Sequence, residues 1–297
     1  MLSQLPEGSG IAAKYPGDVG IETDPTVVFA DGFEEIEDAV METTPYEQKG
    51  RKWDGAWGMI RITQDPENVH SGRQAIEMAH KSERPRSHGA EKHLALGFEI
   101  LFLRYYMKFA KEFAGLHHTG MAISGFPQGM PSGESTGVRP NGRNHFTVVL
   151  DAAQYGSDAR PGPPGYLELG CYYMDQGRKW GDLLFPNGEV YPQKSKWLLA
   201  KDFVPRPNII PERGRWCCYE IMVRMNAPGE RDGRVAFWVD GKLAGDFPNL
   251  RLRSVPILTA SRINIVTYSS KLQPHATLWY DDIVAATSYI GPQATVG

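Results

Sequence analysis

The chain has 297 residues, of which 41% are hydrophobic and 23% are charged. This composition is typical of a folded globular protein and excludes a disordered or fibrous chain. The formal net charge is −3, which argues against nucleic acid or an anionic membrane as partner, although a cleft could still concentrate positive charge for an acidic polymer. No apolar run approaches the roughly 20 residues that a membrane helix needs. The composition does not indicate an oligomeric state.

Turn-forming residues punctuate the whole chain. The 32 Gly and 22 Pro residues separate short apolar runs, which is typical of an all-β protein with long loops. Helical periodicity extends nowhere for more than about two turns. The sequence therefore predicts a single sandwich of two antiparallel sheets over residues 26–297, preceded by an extended arm over residues 1–25.

The predicted strands begin just after this arm. A short acidic helical turn is expected near Glu34–Thr44, and Phe98–Phe109 is the strongest strand. The other strand-like runs are Thr26–Phe33, Trp53–Thr63, Gln74–His80, Asn144–Asp151, Tyr166–Met174, Trp216–Asn226, Val235–Asp240, Arg262–Tyr268 and Thr277–Ala285.

The run Phe98–Phe109 has two unlike faces. One is apolar, whereas the other carries Arg104, Tyr106 and Lys108 at alternate positions. Two cations on an aromatic-rich strand are unusual for a core, so this face is predicted to border a groove. The next residues, 110–143, read as a Gly/Pro/Ser loop, and a loop of that length inside a compact domain is usually functional.

The three cysteines leave the redox state open. Cys171 and Cys217 lie on different predicted strands, so a bridge between them is conceivable, and Cys218 would point to the opposite face from Cys217. Free buried thiols are the favoured expectation, because cysteine is among the most buried residue types.

Several segments together resemble the concanavalin A-like jelly-roll polysaccharide lyases, such as the family 14 alginate lyases and the family 20 glucuronan lyases. The hairpin from Trp216 to Gly241, with its Asp-Gly corner, resembles their signature hairpin, and residues 103–109 resemble their arginine-bearing strand. Residues 116–137 stand where these enzymes have a Gly-rich loop, and residues 279–284 resemble their closing strand. The resemblance covers roughly residues 27–290 and implies a jelly roll.

The resemblance also implies a chemistry, the β-elimination of a uronate-containing glycan in a concave groove. Elimination needs a donor that neutralises the carboxylate, a base for the C5 proton and an acid for the departing oxygen. The residue types that serve these lyases are present in this chain. The catalytic candidates are Arg104 and Lys108 for the carboxylate, His117, His118 or His145 for the base, and Tyr106 or Tyr172 for the acid.

Other residues are candidates for binding the sugar chain. Trp180 and Trp197 lie in long predicted loops and could stack on sugar rings, and Glu168 shares a strand face with Tyr172. Two alternatives to the lyase stay open: a non-catalytic, lectin-like glycan-binding protein, and a glycoside hydrolase. The hydrolase is the weaker of the two, since no strand carries paired carboxylates in the expected spacing.

A structural Ca²⁺ ion is a further expectation from the resemblance. Sandwiches of this kind often bind one where the first strand meets the last, through carboxylate and backbone oxygens. Glu34, Ser71 and Asp282 occupy comparable positions. No organic cofactor is expected.

The resemblance also suggests where the protein acts. A polysaccharide substrate favours an extracellular or periplasmic location, although residues 1–24 contain no apolar stretch typical of a signal peptide.

Overall fold

The computed structural model describes residues 4–41, 51–80, 86–127, 137–152, 161–191, 202–269 and 276–295. Within these ranges the strands form two antiparallel sheets, as predicted. Sheet A contains, in spatial order, β15 (Lys242–Leu250), β14 (Gly233–Val239), β13 (Trp216–Arg224), β7 (Ile100–Phe109), β17 (Ala276–Ala286), β5 (Ala75–His80), β4 (Ile60–Thr63) and β2 (Val40–Met41), and β1 (Val27–Asp31) also pairs with β17. Sheet B contains β12 (Val190–Tyr191), β11 (Asp182–Leu184), β10 (Leu167–Tyr172), β9 (Phe146–Ala152), β8 (Met121–Gly125), β16 (Ala260–Ser269), β6 (Arg86–Phe98) and β3 (Gly55–Trp57).

The core lies between the sheets because alternate residues of each strand are apolar. Burying such side chains stabilises a fold by about 1.5–3 kcal/mol each. The inward side chains include Leu101, Leu103, Tyr105 and Met107 from β7, Tyr219 and Ile221 from β13, Phe146, Val148 and Leu150 from β9, and Ile263 and Ile265 from β16. The intervening residues therefore lie on the two outer faces of the sandwich.

The outer face of sheet A is covered by both ends of the chain. The N-terminal segment is not fully extended, since it forms 3-10 turns at Ile11–Lys14, Pro16–Asp18 and Ile21–Thr23. It pairs with the C-terminal segment through hydrogen bonds such as that from the Ala12 amide to the Ile290 carbonyl, 2.9 Å. A second apolar cluster fills the layer beneath it and includes Phe102, Trp238 and Ile290. None of the described helical segments is long and apolar enough to cross a membrane.

Six strands lie where no strand was predicted, namely the short strands β2, β11 and β12 and the longer strands β6, β8 and β15. β6 covers residues 86–98, β8 lies inside the segment predicted as a loop over residues 110–143, and β15 follows the predicted hairpin. The acidic turn expected near Glu34–Thr44 is not helical in its described part, which ends in the short strand β2.

The cysteines match the favoured expectation. Cys171, Cys217 and Cys218 are all free and buried. Cys171 lies in sheet B, whereas Cys217 and Cys218 lie in sheet A.

Candidate functional site

A groove of about 590 Å³ lies on the outer face of sheet B. Its floor and walls come from strands β6, β8, β9, β10 and β16, together with the segment before β8 and the turn after β10. The lining residues are Ser87, His117, His118, Ala122, His145, Thr147, Val149, Tyr172, Arg178, Trp180, Asn264, Val266 and Tyr268. The lining includes three histidines and two tyrosines, which are side chains able to transfer protons.

Strand pairing arranges the groove face in rows. One row runs across four strands as Tyr172, Thr147, Ser124 and Arg262. The next row brings Asn264 of β16 opposite Ala122 of β8 and Val149 of β9. Neighbouring strands lie about 4.8 Å apart, so the floor is wide enough for an extended chain to lie across it.

His118 is held by a buried carboxylate. Its Nδ1 lies 2.7 Å from Oδ2 of Asp151, while Oδ1 of the same carboxylate accepts the Thr119 amide at 2.9 Å. The Nδ1–H tautomer satisfies this contact and leaves the lone pair on Nε2. Gly120 makes the close approach possible, because a Cβ there would lie 1.6 Å from the Leu150 carbonyl oxygen.

The loop that carries the two adjacent histidines is fixed to the end of β16. The amides of His117 and His118 both donate to the Tyr268 carbonyl, at 2.8 and 3.1 Å, and the Tyr268 amide donates to the His118 carbonyl at 3.1 Å. The ring of Tyr268 lies 5.6 Å from that of His117, centroid to centroid. Backbone pairing thus brings a loop predicted to be functional onto the groove face.

Arg178 lines the groove together with His117 and Tyr172. Burial, the neighbouring His118 and Arg178 lower the pKa of His117 to about 4, against the opposing effect of Asp151, so this imidazole is neutral at neutral pH. Burial raises the pKa of the Tyr172 hydroxyl, which Arg178 partly offsets. Tyr172 is therefore protonated at neutral pH and can donate a proton.

His145 lies deeper in the same groove. Burial lowers the pKa of its imidazole, with a small opposing effect from the Val138 backbone. Its ring stacks against that of Phe126, with a centroid distance of 5.9 Å and an interplanar angle of 11°. The guanidinium of Arg262 lies 4.2 Å from the centroid of the Phe126 ring. The structure thus brings His117, His118, His145 and Tyr172 into one groove, as the sequence predicted.

The predicted position of Arg104 was wrong. Arg104 lies on the outer face of sheet A, on the far side of the sandwich from the groove, where it is fully buried beneath the N-terminal segment. It forms an ion pair with Asp18, which that segment supplies. The alternation of β7 correctly placed Arg104 away from the core, but this face is covered by chain rather than open to a ligand.

The predicted positions of Tyr106 and Lys108 at the groove were wrong as well. The Tyr106 ring stacks on His70 at 3.6 Å, and its hydroxyl accepts the Gln293 amide at 2.9 Å. The Lys108 ammonium donates to the Glu67 carbonyl and lies 5.5 Å from the centroid of the Trp279 ring. Both side chains serve contacts within sheet A and its covering segments, so neither faces the groove of sheet B.

The three expected sugar-binding residues have different positions. Trp180 lies at the groove edge with 51% of its surface exposed. Glu168 is on the same face as Tyr172 but fully buried, directly opposite Asp151 on β9. Trp197 lies outside the described residues.

Two of the three residues expected to bind Ca²⁺, Ser71 and Asp282, are hydrogen-bonded to each other, whereas Glu34 bonds to other residues. The Ser71 hydroxyl donates to Oδ1 of Asp282 at 2.8 Å, and His70 Nδ1 lies 2.6 Å from Oδ2. Glu34 Oε1 accepts the amides of Arg73 and Gln74. Among the described residues no group of three or more His, Cys, Asp or Glu could hold a metal ion. This donor set does not fit Ca²⁺, which needs several oxygens directed at one centre.

Sequence reasoning missed several residues of the groove, among them Asp151, Arg178, Asn264 and Tyr268. Asp151 ended a predicted strand, and Asn264 and Tyr268 lay on another whose outer face was not considered. The outward positions of β9 and β16, set beside those of β10, indicate Asp151, Asn264 and Tyr268, but no pattern indicates Arg178.

Comparison with known proteins finds similar structures but no similar sequences. No protein-family model and no curated protein matches the chain by sequence. One similar solved structure is a double mutant of the alginate lyase Aly36B in complex with an alginate tetrasaccharide, with a TM-score of 0.53, 17% identity, and coverage of 75% of this chain and 82% of that chain. Another is the alginate lyase vAL-1 from Chlorella virus, with a TM-score of 0.52, 12% identity, and coverage of 79% and 92%.

A third similar structure is the marine PL-14 alginate lyase from Aplysia kurodai, with a TM-score of 0.51, 14% identity, and coverage of 76% of this chain and 86% of that chain. At these identities the likeness concerns the backbone alone. The chain has the jelly-roll fold of the polysaccharide lyases.

Proposed function

We propose that this protein is a polysaccharide lyase that cleaves a uronate-containing glycan by β-elimination in the groove of sheet B. The observation that carries the proposal is that Arg178, Tyr172 and His118 line one groove, with the His118 imidazole held by the buried Asp151 carboxylate. A cation, a carboxylate-held imidazole and a protonated phenol in one groove match what the reaction requires. The fold shared with alginate lyases supports the same class of reaction.

Arg178 neutralises the uronate carboxylate. Removing the C5 proton places negative charge on that carboxylate as an enolate develops, and a fixed cation stabilises the charge where it forms. The guanidinium is oriented for this by the bond from its Nε to the Gly181 carbonyl, 2.8 Å. Asn264 on the groove floor supplies an amide that can donate to the same carboxylate.

His118 acts as the general base and Tyr172 acts as the general acid. Nε2 of His118 takes the C5 proton, and the Asp151 carboxylate stabilises the imidazolium that forms. The electron pair of the C5–H bond becomes the C4–C5 double bond as the C4–O bond breaks. The Tyr172 hydroxyl protonates the departing oxygen, and the proton held by His118 returns to the phenolate through solvent, which balances the cycle.

A lectin-like protein without catalysis is the second candidate. The exposed Trp180 favours it, because an aromatic platform at a groove edge is sufficient for binding a sugar chain. The lyase is preferred because a binding protein has no need for a buried carboxylate behind a histidine. A polymeric substrate favours the extracellular space or the periplasm as the location of either activity.

The deciding experiment is incubation with alginate and glucuronan while ultraviolet absorbance is recorded. Elimination creates a conjugated double bond and raises the absorbance, whereas hydrolysis releases reducing ends without that rise. Tyr172→Phe should abolish the rise but retain binding, and Tyr15→Phe, in the N-terminal segment over sheet A, serves as the matched control. Binding of a polyuronate with no rise for the wild-type protein would select the lectin-like alternative.

A further inference from the structure

We propose that the turn after β10, residues Gln176–Trp180, forms with Tyr191 a binding subsite for an acidic sugar residue next to the reaction centre. We call this surface the groove lip. The proposal rests on the proposed function, because it assumes that the groove takes a polyuronate. It goes further by naming the residues that select an acidic polymer over a neutral one.

Trp180 provides the apolar platform of the groove lip. About half of its surface is exposed, which is unusual for tryptophan unless it meets a ligand. The Lys179 ammonium lies 5.2 Å from the centroid of its ring, on one face of the indole. Gly137, at φ +70, packs against the ring edge, since a Cβ there would lie 2.9 Å from Cη2. The exposed part of the indole can take the apolar face of a sugar ring.

Three cations lie on or against the groove lip. Lys179 lies over Trp180, Arg178 lies 5.2 Å from the centroid of the Tyr191 ring, and Arg139 donates to the Gln176 carbonyl. Within the described ranges none of the three forms an ion pair with a carboxylate. The Asp182 carboxylate offsets part of the charge of Arg178 and Arg139. Three cations beside an aromatic platform still favour an anionic ring, because carboxylate–cation hydrogen bonds are stronger than neutral ones.

The turn is held in shape before any ligand binds. The buried side chain of Gln176 accepts the Tyr173 amide at 3.0 Å and donates to the Arg178 and Lys179 carbonyls at 2.6 and 3.2 Å. The Asp182 carboxylate accepts the Gly177 amide and the Tyr173 hydroxyl, each at 2.9 Å. A turn fixed in this way loses little conformational entropy on binding, which is what a preorganised subsite requires.

The test is equilibrium binding, so that it does not depend on turnover. Binding of alginate, glucuronan and a neutral β-glucan is measured by calorimetry in the Tyr172→Phe background, in which the polymer is not consumed. Trp180→Ala and Lys179→Gln are compared with Lys242→Gln, which removes an exposed lysine from β15 of sheet A. Each variant is measured at low and at high salt.

The expected result is a loss of polyuronate affinity of about threefold to tenfold for Trp180→Ala and for Lys179→Gln, and none for Lys242→Gln. The effect of Lys179→Gln should shrink at high salt, because ions screen exposed charges. Equal losses for both lysine variants, or unchanged binding by Trp180→Ala, would overturn the proposed subsite.

The two proposals fail in different ways. Absence of elimination by the wild-type protein together with the expected binding losses would reject the lyase but support the groove lip. Elimination by the wild-type protein with unchanged binding by both groove-lip variants would reject the subsite and support the lyase. Equal affinity of the parent for the neutral β-glucan and the polyuronates would overturn the claim of selection for acidic sugars.

Discussion

Nδ1 of His118 lies 2.7 Å from Oδ2 of Asp151, and this carboxylate is buried on the groove face of sheet B. The two residues come from different segments, the loop before β8 and the strand β9. A buried carboxylate of this kind selects one imidazole tautomer and stabilises the protonated ring. The pair therefore gives His118 the properties of a general base.

The first prediction concerns the tautomer of His118. In Asp151→Asn the amide oxygen can still accept the Thr119 amide, but the amide nitrogen then faces Nδ1 of His118 and donates to it. The proton moves to Nε2, and the lone pair required for proton abstraction is lost. We expect the elimination rate to fall on the order of 10²-fold or more while the fold is retained.

The control for this prediction is Asp54→Asn, at an edge of sheet B, where the carboxylate accepts the His93 amide. It should leave turnover unchanged. The double variant Asp151→Asn/His118→Ala should be no slower than His118→Ala alone, because the two residues act as a unit. Additive losses in the double variant would contradict the assigned role of Asp151.

The second prediction concerns Arg178. Arg178→Gln removes the charge that acts on His117 and Tyr172, so the pKa of both groups should rise. The rate of elimination should fall much more than the affinity for polymer, because the charge is needed most where the enolate forms. Steady-state kinetics with Arg206→Gln as control measures this, and a change in KM alone would restrict Arg178 to binding.

Much of the fold follows from alternation along the chain. In β7, β13 and β9 every second residue is apolar, and these residues form the core between the sheets. The strand β6 lacks this signal because it is rich in polar residues, and β8 lacks it because all five of its residues are buried. The edge strand β15 contains Pro248, a residue that argues against a strand except at an edge.

The candidate site was harder to predict from the sequence than the fold, for a physical reason. Alternation separates two faces of a strand, but it does not show which outer face another part of the chain will cover. Arg104 and Tyr172 both point away from the core, yet only Tyr172 meets open space, because Asp18 and its segment cover Arg104. The pairing of His118 with Asp151 likewise depends on a strand register that no local pattern contains.

The third prediction follows from the position of Arg104. Arg104→Ala should leave elimination by the folded protein unchanged, since the residue lies on the opposite sheet from the groove. It should instead lower the free energy of unfolding by about 3–5 kcal/mol, because the Asp18 carboxylate loses its buried partner. Urea unfolding and activity at low temperature measure the two effects separately.

A compensating variant sharpens this third test. Arg104→Met/Asp18→Leu removes both charges and should recover most of the lost stability, since two apolar side chains can replace a buried ion pair. Loss of elimination by a well-folded Arg104→Met/Asp18→Leu protein would show that Arg104 acts in the reaction after all.

The fourth prediction concerns calcium. Glu34 and Asp282 already accept hydrogen bonds, so the midpoint of thermal unfolding should be the same in calcium and in a chelator. A bound ion would add about 2.7 kcal/mol at a calcium concentration 100 times its Kd, which is easily detected. A higher midpoint in calcium that is lost in Asp282→Asn would establish a metal site there.

The fifth prediction is a pH dependence of stability that arises from His80. Burial and the neighbouring His88 lower the pKa of His80 to about 3, and Nε2 of His80 lies 2.9 Å from the Thr267 hydroxyl. Because the folded pKa is below the unfolded value of 6.5, the unfolded chain binds a proton first as the pH falls. The contribution of the neutral ring to stability is complete above pH 6.5 and declines as the pH approaches 3.

This decline should approach about 1.4 kcal/mol per pH unit for the single proton. His80→Gln keeps a hydrogen-bonding group near Thr267 but cannot titrate, so the difference in unfolding free energy from the wild type should change with that slope below pH 6.5. His93→Gln is the control, because 51% of the His93 side chain is exposed. A pH-independent difference between His80→Gln and the wild type would mean that His80 keeps an ordinary pKa in the folded protein, and that burial beside His88 does not hold its ring neutral.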